Sequence, residues 1–134
     1  MLCLDTSFLI DYLHGRDHAL TFLEERPNAE YGVPTLALWE LYAGAERSDK
    51  KGDSIAAIDD SLDWIDVIGF SRSAAQEGAR IRARLFDQGT QINAVDVLIA
   101  GVARDSGADL VAMDRDFDNV DGLHVLYPND LYSK

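Results

Sequence analysis

Four acids stand where a carboxylate can do more than face solvent: Asp5, Glu40, Asp96 and Asp114. Asp5 and Asp114 each follow a short apolar run, at residues 1–4 and 109–113. Asp96 comes three residues after Asn93, at the start of the periodic stretch NAVDVLIAGVARD. Glu40 is embedded in the apolar stretch LALWELYAGA. Carboxylates gathered in one place repel one another, and some pKa values rise. A divalent cation resolves that repulsion. Oxygen donors without His or Cys suit Mg²⁺ or Mn²⁺. Such an ion lowers the pKa of a bound water and sets it in line with a phosphodiester.

Each acid also has a plainer use. Asp5 can simply cap the helix that follows it. Asp96 in a first helical turn is favoured by the helix dipole by about 0.3–1 kcal/mol. Glu40 can lie on a helix flank, although a glutamate in apolar surroundings is costly unless paired, protonated or bound to a cation.

The elements that must position these acids alternate. Residues 1–4 read as a strand buried on both faces. Thr6 or Ser7 is placed to cap a helix through Phe8, Leu9, Tyr12 and Leu13. A second helix is expected over 17–26 with Asp17 as cap, a strand over 30–33, and a third helix over 36–45 opened by Pro34 and Thr35. That third helix is apolar nearly all round, so Trp39 and Tyr42 are expected in the core, with partner contact as the alternative. Residues 47–53 read as a loop, 54–62 as a helix and 64–70 as a strand. Ser71 or Ser73 caps a helix to about Gln88, which carries Arg80, Arg82 and Arg84, the one basic concentration in the chain. Asn93 caps a helix to about Asp105 that Gly107 ends. Residues 109–113 form a strand, 115–121 a loop and 123–126 a last strand before a polar tail. Strands alternating with helices argue for an α/β fold: a three-layer sandwich whose central, mainly parallel sheet is flanked by helices.

The length of 134 residues is expected to make a single domain over 1–134. No apolar run is long enough to span a membrane, and no basic region followed by a long apolar stretch suggests a signal peptide. Cys3 is the only cysteine, which leaves no internal disulfide and makes a reducing cytoplasm the expected compartment. The net charge of −12 comes from 18 Asp and 6 Glu against 9 Arg and 3 Lys. Such a surface argues against phosphate binding by the protein's own charge. A salt-adapted cytoplasm explains it, because molar salt screens repulsion beyond about 3 Å.

The chain resembles the PIN-domain family, most closely its VapC-type toxins. The likeness rests on LDTSFLID at 4–11, ELYAGA at 40–45, AVDVLIAGVA at 94–103 and LVAMDRDFDNVDGL at 110–123. It implies a Mg²⁺-dependent endoribonuclease, with Mn²⁺ as a substitute ion. Asp5 and Asp96 match the principal metal ligands, and Glu40 and Asp114 complete the site. Thr6 or Ser7 matches a hydroxyl that supports the first Asp, and Asn93 is a further supporting residue. The chain departs from the family pattern at Ala112, where a Thr or Ser is common two residues before the fourth acid. Asp114 therefore lacks the usual supporting hydroxyl at that position. Asp116 lies close enough to contest the place of Asp114, which is preferred. The implied partners are RNA, a VapB-type antitoxin that blocks the site, and a second copy of the chain, with no membrane.

Three other readings compete. A nuclease of RNA processing and a silent PIN-like binding module share the fold. A phosphoacceptor or aspartate-nucleophile phosphatase shares the acids at strand ends but wants a Lys near the site. The lysines here are Lys50, Lys51 and Lys134. His14, His18 and His124 are scattered and read as structural or solvated.

Overall fold

Leu2–Leu4 form β1, the middle strand of a five-stranded sheet, with Cys3 and Leu4 fully buried. The computed structural model describes residues 1–132. Its elements run β1, α1 (Thr6–Leu13), α2 (Asp17–Glu24), β2 (Tyr31–Pro34), α3 (Thr35–Glu46), α4 (Lys51–Leu62) and β3 (Asp66–Ile68). They continue with α5 (Arg72–Gln88), α6 (Ala94–Ser106), β4 (Asp109–Val111), a 3₁₀ turn (Arg115–Asn119), β5 (Val125–Leu126) and α7 (Pro128–Tyr132). The strand order is β3-β2-β1-β4-β5 and every pairing is parallel. Helices flank the sheet, as expected of the α/β sandwich.

From β1 the chain steps outward to β2 and β3, then returns past β1 to β4 and β5. The direction of winding therefore reverses between β1 and β4. In open parallel sheets that reversal opens a crevice at the carboxyl ends of the two strands. Leu4 pairs with Val111 there, and Asp5 N–H donates to the Val111 carbonyl at 3.0 Å. Both strands are followed by an acid-bearing segment, and α6 begins at the same edge.

Packing fixes these elements on one another. Phe8 of α1 and Phe22 of α2 meet edge to face, 5.7 Å between centroids. Helices α5 and α6 form a close antiparallel pair. A Cβ added at Gly101 would lie 2.8 Å from Gly78 N and 2.9 Å from the Ala74 carbonyl, so only glycine lets the two backbones approach this far. Gly107 closes α6 with φ of 66°, as its place in the sequence predicts.

Several local expectations differ from the structure. Of the three residues that could cap α1, Asp5 is the N-cap and Thr6 and Ser7 lie inside the helix. Asp17 lies inside the first turn of α2, behind Arg16. Helix α4 starts at Lys51 and takes in residues expected to be loop. Of the strand expected over 64–70, only Asp66–Ile68 pairs, because β3 is an edge strand with Val67 exposed. Of the two serines expected to cap α5, Ser71 does so, as one of the two alternatives had it. The expected polar tail contains α7, and Ser133 and Lys134 lie outside the described residues. Among the described residues no helix is long and apolar enough to cross a membrane.

Candidate active site

Asp5 is the most constrained acid in the protein. It is 2% exposed, the one charged residue in the buried class among those described. Its Oδ1 accepts from Phe8 N at 3.0 Å, which caps α1. Ser7 Oγ lies 2.9 Å from Oδ1 and 3.0 Å from Oδ2 and donates to the carboxylate. The same Ser7 oxygen accepts from Met113 N at 3.1 Å. One hydroxyl thus ties the end of β1 to the backbone that leads into Asp114. Ala112 offers no hydroxyl, and Ser7, in the first turn of α1, supplies the link.

Burial pushes the Asp5 pKa up to about 7. The hydrogen bonds from Phe8 and Ser7 pull it down by less, and the charges of Asp96 and Asp114 add to the rise. Asp96, half-buried in the first turn of α6, is raised to about 6 by burial and then by Glu40, Asp114 and Asp116. No cation is among the groups that act on either carboxyl. Asp96 and Asp114 thus act on Asp5, and Glu40 and Asp114 act on Asp96.

Glu40 is half-buried on α3, and its Oε1 accepts from Thr6 Oγ1 at 2.5 Å. The two hydroxyls of the Thr6–Ser7 pair thus serve different acids. Glu40 also borders a groove of about 500 Å³ between α1, α3 and α4, lined by Ile10, Leu13, His14, Leu41 and Ile58 among others. Asp114 is exposed and caps the 3₁₀ turn, with Oδ1 accepting from Asp116 N at 2.9 Å. Asp116 is exposed as well. Asp114 acts on both Asp5 and Asp96, whereas Asp116 acts on Asp96 and is the weakest cause there. Asn93 accepts from Val95 N at 2.9 Å, which caps α6; it bonds to none of the four acids.

The donor chemistry fits a hard divalent cation: oxygen donors only, of which Asp5 and Asp96 are raised in pKa by burial and by neighbouring carboxylates, with no cation among the groups acting on those two. The set is loose, however. Among the described residues no three His, Cys, Asp or Glu side chains converge closely enough to enclose an ion. His18 pairs with Asp11 at 2.7 Å and His124 with Asp109 at 3.1 Å, so neither joins the acids. Buried Cys3 has its thiol pushed up to about 12, chiefly by burial, and is inert core.

The family model of the PIN domain matches residues 2–123. The chain belongs to the PIN-domain family. It is 33% identical over 126 residues to the tRNA(fMet)-specific endonuclease VapC of Shigella flexneri, covering 91% of this chain and 93% of that protein. It is 31% identical over 123 residues to ribonuclease VapC2 of Haemophilus influenzae, again covering 91% and 93%. Within the family it is of the VapC type. The structure of VapBC2 from Rickettsia felis bound to a promoter DNA fragment superimposes with a TM-score of 0.89 at 25% identity, covering 94% of this chain and 97% of that one. Two features of this PIN site are not legible in sequence spacing: the Thr6–Glu40 bond and the Ser7–Met113 link. Trp39, expected in the core, is 58% exposed one residue before Glu40.

Proposed function

We propose that this PIN domain, spanning residues 1–134, is a Mg²⁺-dependent endoribonuclease and the toxin of a VapBC-type pair. The observation that carries the reading is Asp5 at the β1/β4 reversal, buried and raised in pKa by that burial, with Asp96 and Asp114 adding to the rise and no cation among the groups acting on it. The VapC relatives, named as ribonucleases, support the substrate class.

Asp5 and Asp96 would hold the ion, with Glu40 and Asp114 completing the set. A bound divalent ion supplies positive charge to the phosphate and acidifies a water. Asp5 is held in one orientation by Phe8 N and Ser7, so its carboxylate needs no reordering. Glu40 and Asp114 each have one oxygen engaged, by Thr6 and by Asp116 N, and each keeps a second oxygen. One of the two takes the proton of the attacking water. No side-chain nucleophile is required.

A VapB-type antitoxin and a second copy of the chain are the proposed partners, in a salt-adapted cytoplasm. The apolar groove bordered by Glu40 suits a partner that covers the site. The test is cleavage of a total RNA pool by purified protein at high KCl, with Mg²⁺, Mn²⁺ or EDTA and with Asp5→Asn and Asp96→Asn. Discrete metal-dependent fragments, absent in both variants, are expected. No cleavage by folded wild type would replace the nuclease with a silent binding module.

A further inference from the structure

The carboxylate of Asp114 accepts from Asp116 N at 2.9 Å, and no side chain among the described residues bonds to it. Its place is therefore set by the 3₁₀ turn that it caps, and that turn must itself be held. Phe117, fully buried, pins the middle of the turn to the core. Its two ends, Arg115 and Asp118, are polar and exposed.

One side chain meets both ends. Strands β4 and β5 pair with Val111 beside Leu126, and Ala112 N donates to the Leu126 carbonyl at 3.0 Å. Tyr127 is the next residue, so it leaves β5 beside the segment that leads into the turn. It is 8% exposed, the one buried tyrosine among the described residues. Its hydroxyl donates to Asp118 Oδ1 at 2.7 Å. The Arg115 guanidinium lies 3.9 Å from its ring centroid, where the ring face attracts a cation. Arg115 also pairs with Asp130 of α7. A ring packed into a dense interior has little room to shift, so its face and its hydroxyl are fixed points. The first residue of the turn rests on the face and the fourth on the hydroxyl.

Core packing alone accounts for an apolar side chain at this position, which Phe or Leu would fill as well. It does not account for a hydroxyl and a ring face that both engage the turn presenting Asp114.

We propose that Tyr127 is a positioning residue for Asp114: it clamps both ends of the 3₁₀ turn and so fixes where that carboxylate stands. The clamp rests on the nuclease reading only for the ion that Asp114 meets.

The test uses Tyr127→Leu, which removes both ties, and Tyr127→Phe combined with Arg115→Gln, which removes both and keeps a ring in the core. If Tyr127→Leu does not fold, the combined variant decides. In EDTA, amide hydrogen exchange at Asp116 and Val120 should speed up, while that of Asp5, bonded to the Val111 carbonyl, stays at the wild-type rate. Mn²⁺ affinity without RNA should fall by about tenfold. Placed on Asp114→Asn, either change should leave Mn²⁺ affinity where Asp114→Asn alone puts it, because a clamp acting through Asp114 then has nothing to position. Wild-type exchange at the turn, equal speeding at Asp5, unchanged Mn²⁺ affinity, or a loss that adds to that of Asp114→Asn overturns the clamp. Any of these beside metal-dependent RNA cleavage by wild type leaves the nuclease standing. The expected exchange and affinity changes without RNA cleavage do the reverse, and a wild type that binds no Mn²⁺ overturns both.

Discussion

The acids that follow β1 and β4 begin from adjacent, paired strands and end in opposite environments. Asp5 comes directly after Leu4, is almost wholly buried, and is fixed by a backbone amide and a serine. Asp114 comes three residues after Val111, is exposed, and is fixed by one backbone amide of its own turn. The difference follows from what comes next in the chain. After β1 an α-helix starts at once and folds its apolar face over the acid. After β4 the chain takes a 3₁₀ turn of which only Phe117 is buried. One acid is thus built into the core before any ligand arrives, and the other waits at the rim.

The sharpest way to break that comparison is to neutralise each acid in turn. Asp5→Asn should lower RNA cleavage by about 10²–10³-fold, the scale of removing a preorganised charge from an active site. Asp114→Asn should lower it by about tenfold, because an exposed carboxylate is more readily replaced by water. Single-turnover cleavage at fixed Mg²⁺ measures both. Equal losses would mean that burial of Asp5 serves folding rather than the reaction.

The buried acid should also announce itself in stability. Its folded pKa of about 7 stands above the ordinary 3.8, so the metal-free folded chain keeps a proton that the unfolded chain has released. Stability from this group is full below about pH 4, falls as pH rises toward 7, and stays low above it. The slope is at most about 1.4 kcal/mol per pH unit. Thermal melts in EDTA at pH 5.5 and 8 should show the lower Tm at pH 8. Asp5→Asn should remove most of that difference and raise Tm at pH 8. Added Mg²⁺ should raise Tm of wild type at pH 8 but not of Asp5→Asn.

Ser7 sharpens the comparison because it touches both sides. Its hydroxyl donates to Asp5 and accepts from Met113 N. Ser7→Ala should cost about 10–100-fold in cleavage, the usual effect of removing a residue that orients a ligand. Thr6→Ala frees only Glu40 and should cost less. If the two variants lose the same activity, the serine is not the strut between the strands.

The sheet was readable because each strand is a short apolar run between well-marked helices, and the alternation leaves few topologies. The positions of Asp5 and Asp114 after strands were readable for the same reason. Their different burial was not, because it depends on α1 and the 3₁₀ turn closing over them in space. The cap of α1 stayed open where three polar residues adjoin: Asp5, Thr6 and Ser7 can each cap a helix, and geometry chose the first. Trp39 failed because α3 is apolar all round, which leaves no stripe to tell its core face from its free one. Helix α4 began early because residues 51–53, polar and with a glycine, extend a helix whose apolar contacts lie further along.

Asp116 offers the finest test, since it and Asp114 are both exposed and only two residues apart. Their places in the turn separate them: Asp114 caps it and its charge acts on both Asp5 and Asp96, while Asp116 lends its amide to Asp114 and of those two acids acts only on Asp96. Asp116→Asn keeps that amide and removes one distant charge. It should change cleavage by less than about twofold, against about tenfold for Asp114→Asn, since screened charges at the surface contribute little. A larger loss for Asp116→Asn would move the fourth acid two residues along the chain. It would also mean that the turn rearranges when RNA and metal bind, because in the structure it is Asp114 whose charge reaches Asp5.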